Sequence, residues 1–475
     1  MRLLRLAAGL GFFLAASACA QALAPVFEAR PCADSRIGET ARCGIVSVPE
    51  DRADPGGRQI ALNLVILPAT GEKRLLPLYD LAGGPGLPAT QTAEFYLSFG
   101  GAYREGRDIV LLDQRGTGRS NGLQCPDLAS PDRQYELFYP VERVAACRTS
   151  LSSRARLEHY GTDAAAADLE AVRQALGHDR IDLFGLSYGT LLALRYDQLF
   201  PGRARAMVLL GTATPEARVP SGHAPAGQRA LTGLFAACAA DPVCASRFPN
   251  PRVDLDRALA LLPGISGAPD RDVFLERLRS LMYAPARARM IPLILRYAAD
   301  GDLRPFFAAT RRTEPALDSD GVYLSIICAE GMAGMDFEQA SAAARNTLFG
   351  DYRLRRQRAA CEDWPVAATA ASFFDPPRPS ASVLFVSGEL DPVTPPDWAE
   401  AVAQRSGRAR HFILSGGGHI PDGLSGIDTC LDPLLIAFLD HGDPNRLDPT
   451  CLAQVRPPSF LLEPPADWGM NSPSP

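Results

Sequence analysis

The sequence predicts an α/β protein: a mostly parallel sheet flanked by helices, interrupted by a helical insertion. Three observations predict it. Short apolar runs recur and end near Gly- or Asp-bearing turns: 76–81, 109–112, 181–184, 206–210, 383–386 and 411–414. Strands buried on both faces read this way, because helices cover both sides of a parallel sheet. Between the runs lie segments with apolar residues three to four apart, such as Leu169, Val172 and Leu176. From 215 to 365 the alternation stops, and the chain becomes rich in Ala, Arg and Pro with helical spacing only, as at Phe274, Leu278 and Leu281.

From the N-terminus, Arg2 and Arg5 precede an apolar run, Leu6 to Ala16, that is too short to span a bilayer. Ala18-Cys19-Ala20 supplies a small-residue cleavage site, so residues 1–20 read as a secretory signal peptide. Ser17-Ala18-Cys19 also resembles the end of a lipoprotein box, with Ala16 where that box prefers Leu. Simple export is the expectation and a lipid anchor at Cys19 the alternative. No later stretch reaches the roughly 18 apolar residues of a transmembrane helix.

Gly44–Val48 and Ile60–Ile66 read as the first strands, the second alternating in part as a half-buried antiparallel strand does. The expected division is a core of 21–214 and 366–456, a helical cap at 215–365, and a Pro-rich tail at 457–475 that is extended or partly disordered. Thr162 or Asp163 is the expected cap of the helix that runs to Leu176.

The chain has 475 residues, 47% hydrophobic and 21% charged, which suits a globular enzyme. A net charge of -6 argues against a nucleic-acid partner. Of 11 cysteines, Cys19 lies beside the leader and ten remain, with no Cys-x-x-Cys pattern. In an exported chain they read as five disulfides. Connectivity is open; pairing each cysteine with its neighbour, 32–43, 125–147, 238–244, 328–361 and 430–451, is one scheme.

Gly185-Leu186-Ser187-Tyr188-Gly189 sits between a strand and a helix beginning at Tyr188. A nucleophilic serine needs a tight strand-to-helix turn, where glycine tolerates the crowding. A serine hydroxyl also needs a base. Of six histidines, only His419 follows a strand and a glycine loop, Gly416-Gly417-Gly418. Asp391, after the 383–386 strand, is the acid that would orient the imidazole; Glu389 is its rival. The order Ser187, Asp391, His419 is that of the α/β-hydrolase fold. For the oxyanion, backbone N–H donors are expected from Gly84 (or Gly83) in Ala82-Gly83-Gly84-Pro85-Gly86 and from Tyr188. No ligand cluster calls for a metal or cofactor.

Gly83–Gly86, Asp113-Gln-Arg-Gly-Thr-Gly-Arg-Ser120, Gly185–Thr190, Gly388–Asp391 and Gly417–His419 together resemble the proline iminopeptidase and tripeptidyl aminopeptidase family of α/β-hydrolase peptidases. The likeness runs from about Cys32 to Cys451. Ala82 stands where short intracellular members have His, as in the larger secreted branch. The resemblance implies a serine peptidase that removes residues or short peptides from substrates with a free N-terminus. It implies that Asp113 and Arg115 brace the nucleophile region. It also implies that Glu330, in Cys328-Ala329-Glu330, binds the substrate's α-amino group, with Glu362 and Asp363 as weaker candidates. An esterase with the same triad is the alternative, and a non-catalytic binding protein on this fold a further one.

Overall fold

The computed structural model describes residues 24–34, 37–38, 41–313 and 318–468; the expected leader and residues 469–475 of the tail lie outside them. Nine strands are present among the described residues: β1 (Phe27–Arg30), β2 (Arg42–Pro49), β3 (Gln59–Leu67), β4 (Leu78–Leu81), β5 (Ile109–Leu112), β6 (Ile181–Leu186), β7 (Ala204–Leu210), β8 (Ser382–Gly388) and β9 (Ala409–Leu414). They form one sheet in the order β1-β2-β3-β5-β4-β6-β7-β8-β9. β1, β2, β3 and β5 pair antiparallel in that order, and β5, β4, β6, β7, β8 and β9 pair parallel in that order.

The apolar runs become the parallel strands for the expected reason. β4, β5 and β8 are buried at every position. Helices Thr162–Ala175 and Tyr188–Leu199 pack on one face and Asp432–His441 on the other. β1 has no counterpart in the sequence reading. Its four residues, Phe27-Glu28-Ala29-Arg30, are mostly exposed at the sheet edge, so no burial pattern marks them. The chain leaves β4 for β5 on one side and later returns to β6 on the other. That reversal opens a crevice at the carboxyl ends of β4 and β6, where this architecture places ligands.

Between β7 and β8 every described element is helical. Phe274, Leu278, Leu281, Ile294, Leu295 and Phe306 are fully buried there in a separate apolar cluster. Phe460 of the tail joins it under the Arg289 guanidinium, 4.1 Å from the ring centroid, so this part of the tail is a packed strap. All five neighbouring cysteine pairs are bonded. Among the described residues, no helix is long and apolar enough to cross a membrane.

Candidate active site

Ser187 stands between β6 and the Tyr188–Leu199 helix with φ 55° and ψ -120°, a backbone conformation that L-residues seldom hold. Its N–H donates to Leu210 O at 2.9 Å, tying the turn to β7. The flanking glycines are sterically required. A Cβ on Gly189 would lie 1.9 Å from Leu81 O, and one on Gly185 2.7 Å from Gly189 O. Thr190 Oγ1 donates to Ser187 O at 2.5 Å and accepts from Ala213 N at 2.8 Å, fixing the turn from behind.

Asp391 and His419 meet after β8 and β9. Asp391 Oδ2 lies 2.8 Å from His419 Nδ1. Asp391 is wholly buried, and its Oδ1 accepts from Val393 N at 2.8 Å and Thr394 N at 2.9 Å. Thr394 Oγ1 donates to Asp391 Oδ2 at 2.8 Å and lies 3.1 Å from His419 Nδ1. Thr394 escaped the sequence reading, because a Thr-Pro pair there looks only like a helix start. Glu389, the rival acid, points elsewhere, accepting from Ser415 Oγ and Gly416 N at the surface. The His419 ring meets the Tyr283 ring edge to face, 5.1 Å between centroids.

The loop after β4 lies against the serine. A Cβ on Gly83 would sit 3.0 Å from Leu186 O and 3.1 Å from Ser187 Cβ, and Gly84 has φ +110°. Gln114 Nε2 donates to Ala82 O at 3.2 Å and holds the loop. Asp113 and Arg115 brace other parts than expected. Asp113 accepts from Thr90 N and Oγ1, Asn63 Nδ2 and Arg119 N, pinning the segment after the glycine loop. Arg115 makes a two-pronged bond to Asp168, at 2.6 and 2.7 Å, on the Thr162–Ala175 helix. Neither is bonded to the Ser187 turn.

Gly83, Gly84, Ser187, Tyr188 and His419 border one cavity of about 670 Å³, roofed by the helical segment. Glu330 lines it from a π-helical turn, Ile327–Met332, fastened to the Tyr352–Cys361 helix by the 328–361 disulfide. The Glu330 carboxyl is buried and accepts from Thr162 N at 2.7 Å and Thr162 Oγ1 at 2.6 Å. Thr162 Oγ1 also lies 2.9 Å from Tyr188 Oη, the residue after the serine. Thr162 is therefore no cap: Gly161 holds that position, and the hydroxyl is used on Glu330. Burial pushes the Glu330 pKa up to about 7, although the Thr162 hydrogen bonds act against it. Glu362 and Asp363 are not among the residues bordering the cavity. The acids that do border it and went unread in sequence are Glu136, Glu276, Asp318 and Asp320. Burial raises Asp320 to about 6. No motif marks these four, since the fold alone brings them together.

Comparison with known proteins agrees with this architecture. Residues 83–243 match the family model for the alpha/beta hydrolase fold, and 346–451 that for TAP-like proteins. The serine protease Hip1 of Mycobacterium tuberculosis H37Rv is 27% identical over 87% of this chain and 89% of its own. The tripeptidyl aminopeptidase of Streptomyces lividans is 26% identical over 93% and 90%. Carboxylesterase B of M. tuberculosis CDC 1551 is 28% identical over 88% and 87%.

Proposed function

We propose, from the premise that this chain belongs to the α/β hydrolases and carries a TAP-like C-terminal region, that it is an exported serine peptidase. It releases residues or short peptides from free N-termini. Ser187 Oγ attacks the scissile carbonyl while His419 takes its proton. Asp391 fixes the His419 tautomer and balances the imidazolium charge. The Tyr188 and Gly84 N–H groups receive the developing oxyanion. His419 then protonates the leaving amine, and water, activated by the same histidine, resolves the acyl-enzyme. Peptidase names among the relatives support this reading, as do five disulfides for an oxidising compartment. Carboxylesterase B among the relatives favours small esters as the second reading.

One observation carries the amine specificity. Glu330 is a buried carboxyl in the cavity that Ser187 borders, linked to Tyr188 through Thr162. An ionised Glu330 would hold the substrate's ammonium and set the distance to the scissile bond. Its carboxyl pKa of about 7 gives the sign of the pH effect: it is charged above that pH and neutral below. Peptide kcat/KM should therefore rise through pH 7. It should fall again as the substrate's amine loses its proton near pH ~8. A small neutral ester, hydrolysed by the same triad, should show no alkaline fall. Glu330→Gln should lower kcat/KM on unblocked peptides roughly 10- to 150-fold, the equivalent of one charge-assisted hydrogen bond. The ester rate should be nearly unchanged. Equal losses on both substrates would make Glu330 a structural residue.

A further inference from the structure

The roof of the cavity holds a charge imbalance that amine recognition does not use. On the Arg271–Leu281 helix, Glu276 Oε2 accepts from Arg279 Nε at 3.1 Å and Nη2 at 3.0 Å. It also accepts from Arg353 Nη1 at 3.0 Å. These side chains are 16%, 3% and 14% exposed for Glu276, Arg279 and Arg353, so water screens them little. Burial pushes Glu276 up, but the two guanidiniums outweigh it and hold its pKa below the usual carboxylate value. One carboxylate thus serves two arginines, and the cluster keeps a net positive charge at neutral pH. Among the described residues no second carboxylate lies within 4 Å of either guanidinium.

Among the described residues, two polar atoms beside this charge have no hydrogen-bond partner. Arg353 Nε is buried without a hydrogen bond, and so is Nδ1 of His223, a residue only 6% exposed that borders the same cavity. Burial, then Arg353, Arg279 and His419, hold the His223 pKa well below its usual value. His223 is therefore a neutral hydrogen-bonding group that adds no further positive charge. A buried charge left unmatched is costly, and unpaired buried polar atoms are rare. Together they describe a site prepared for an anion.

Its position says on which side of the scissile bond the anion would lie. Arg279 lies over the Tyr283 ring at 5.6 Å, and that ring meets His419. Arg279 Nη1 also reaches Pro392 O, next to Asp391, at 3.5 Å. Arg279 is thus on the His419 side of the cavity, Arg353 is joined to it through Glu276, and His419 is the group that protonates the leaving amine in the proposed reaction. We propose that Arg353, supported by Arg279 and His223, is a carboxylate subsite on the leaving-group side of the scissile bond. The substrates are then short peptides whose carboxylate reaches it; a cavity of about 670 Å³ has room for a few residues. This rests on the peptidase reading above.

The carboxylate comes either from the peptide's C-terminus or from an acidic side chain. Three unblocked substrates separate these: tetra-alanine, tetra-alanine amide and Ala-Ala-Ala-Glu amide. The free acid should exceed its amide about 10- to 100-fold in kcat/KM, mainly through KM. A fast Glu amide would mean that the subsite accepts either carboxylate, and a slow one that it reads the C-terminus alone. Arg353→Gln leaves Glu276 and Arg279 as a matched pair and should bring the acid-to-amide ratio close to one. Arg353→Lys, which keeps the charge without the fork, should retain part of it. Should the glutamine variant not fold, the wild-type ratio and the lysine variant still decide. Equal wild-type rates on all three, or an unchanged ratio in Arg353→Gln, would overturn the subsite and leave peptide hydrolysis standing. Hydrolysis of none would overturn both.

Discussion

Ser187→Ala is expected to lower kcat/KM on every substrate by about 10⁴-fold or more and to abolish labelling by a fluorophosphonate. Ser187 Oγ is the nucleophile in the proposed reaction, and alanine removes it without touching the supports of the turn. The bonds from Ser187 N to Leu210 O and from Thr190 Oγ1 to Ser187 O are backbone-anchored and survive. The variant should therefore fold and still bind peptides, and the residual rate should come from the oxyanion donors alone. Stopped activity with an intact thermal transition is the expected pair of results. Normal activity in Ser187→Ala would remove the serine mechanism altogether.

Asp391→Asn should cost about 10⁴-fold in kcat, and the hydrogen bonds around Asp391 say why. Oδ1 accepts from two backbone N–H groups, Val393 and Thr394. An asparagine must put its carbonyl oxygen there, since an NH₂ would face two donors. The amide nitrogen is then forced to the Oδ2 position, 2.8 Å from His419 Nδ1. It donates to Nδ1 and leaves the proton on Nε2, the nitrogen that accepts the serine proton in the proposed reaction. The shape is kept while the base is lost. Thermal stability close to the parent and a collapse in kcat with little change in KM would be the signature. A comparable kcat would mean that His419 does not depend on Asp391 for its tautomer.

Much of this fold was legible because two-sided burial leaves a plain mark. β5 is the Ile109-Val-Leu-Leu112 run itself, and β8 extends its predicted run by a few residues; β9 extends its run too, but as a half-exposed edge strand buried only at Phe412 and Leu414. β1 was not legible, since a four-residue exposed edge strand has no apolar periodicity to show. The site divides in the same way. Ser187, Asp391 and His419 each follow a parallel strand, so strand, turn and residue type could be read together. Thr394 and Thr162 could not, because a hydroxyl at the start of a helix looks like a cap whatever it bonds. The roof was invisible for a different reason. His223, Glu276, Arg279 and Arg353 lie on three separate helices and meet only through packing of the helical segment. Glu330 came from resemblance alone, and its bonds to Thr162 give it a physical setting that no local pattern carries. The disulfides were the reverse case, with neighbouring cysteines joined in all five pairs.

The buried Glu330 carboxyl also has a cost, since burial disfavours its charged form. A group retained at such a cost belongs to function more often than to stability. The central claim, hydrolysis directed by a free N-terminus, is tested most directly by one comparison. The same peptide, unblocked and N-acetylated, is incubated with the enzyme and the products are read by mass. The account predicts release of an N-terminal residue or short peptide from the unblocked form and at least about tenfold slower cleavage of the acetylated one. Equal cleavage of the two, or cleavage at internal bonds of both, would contradict it.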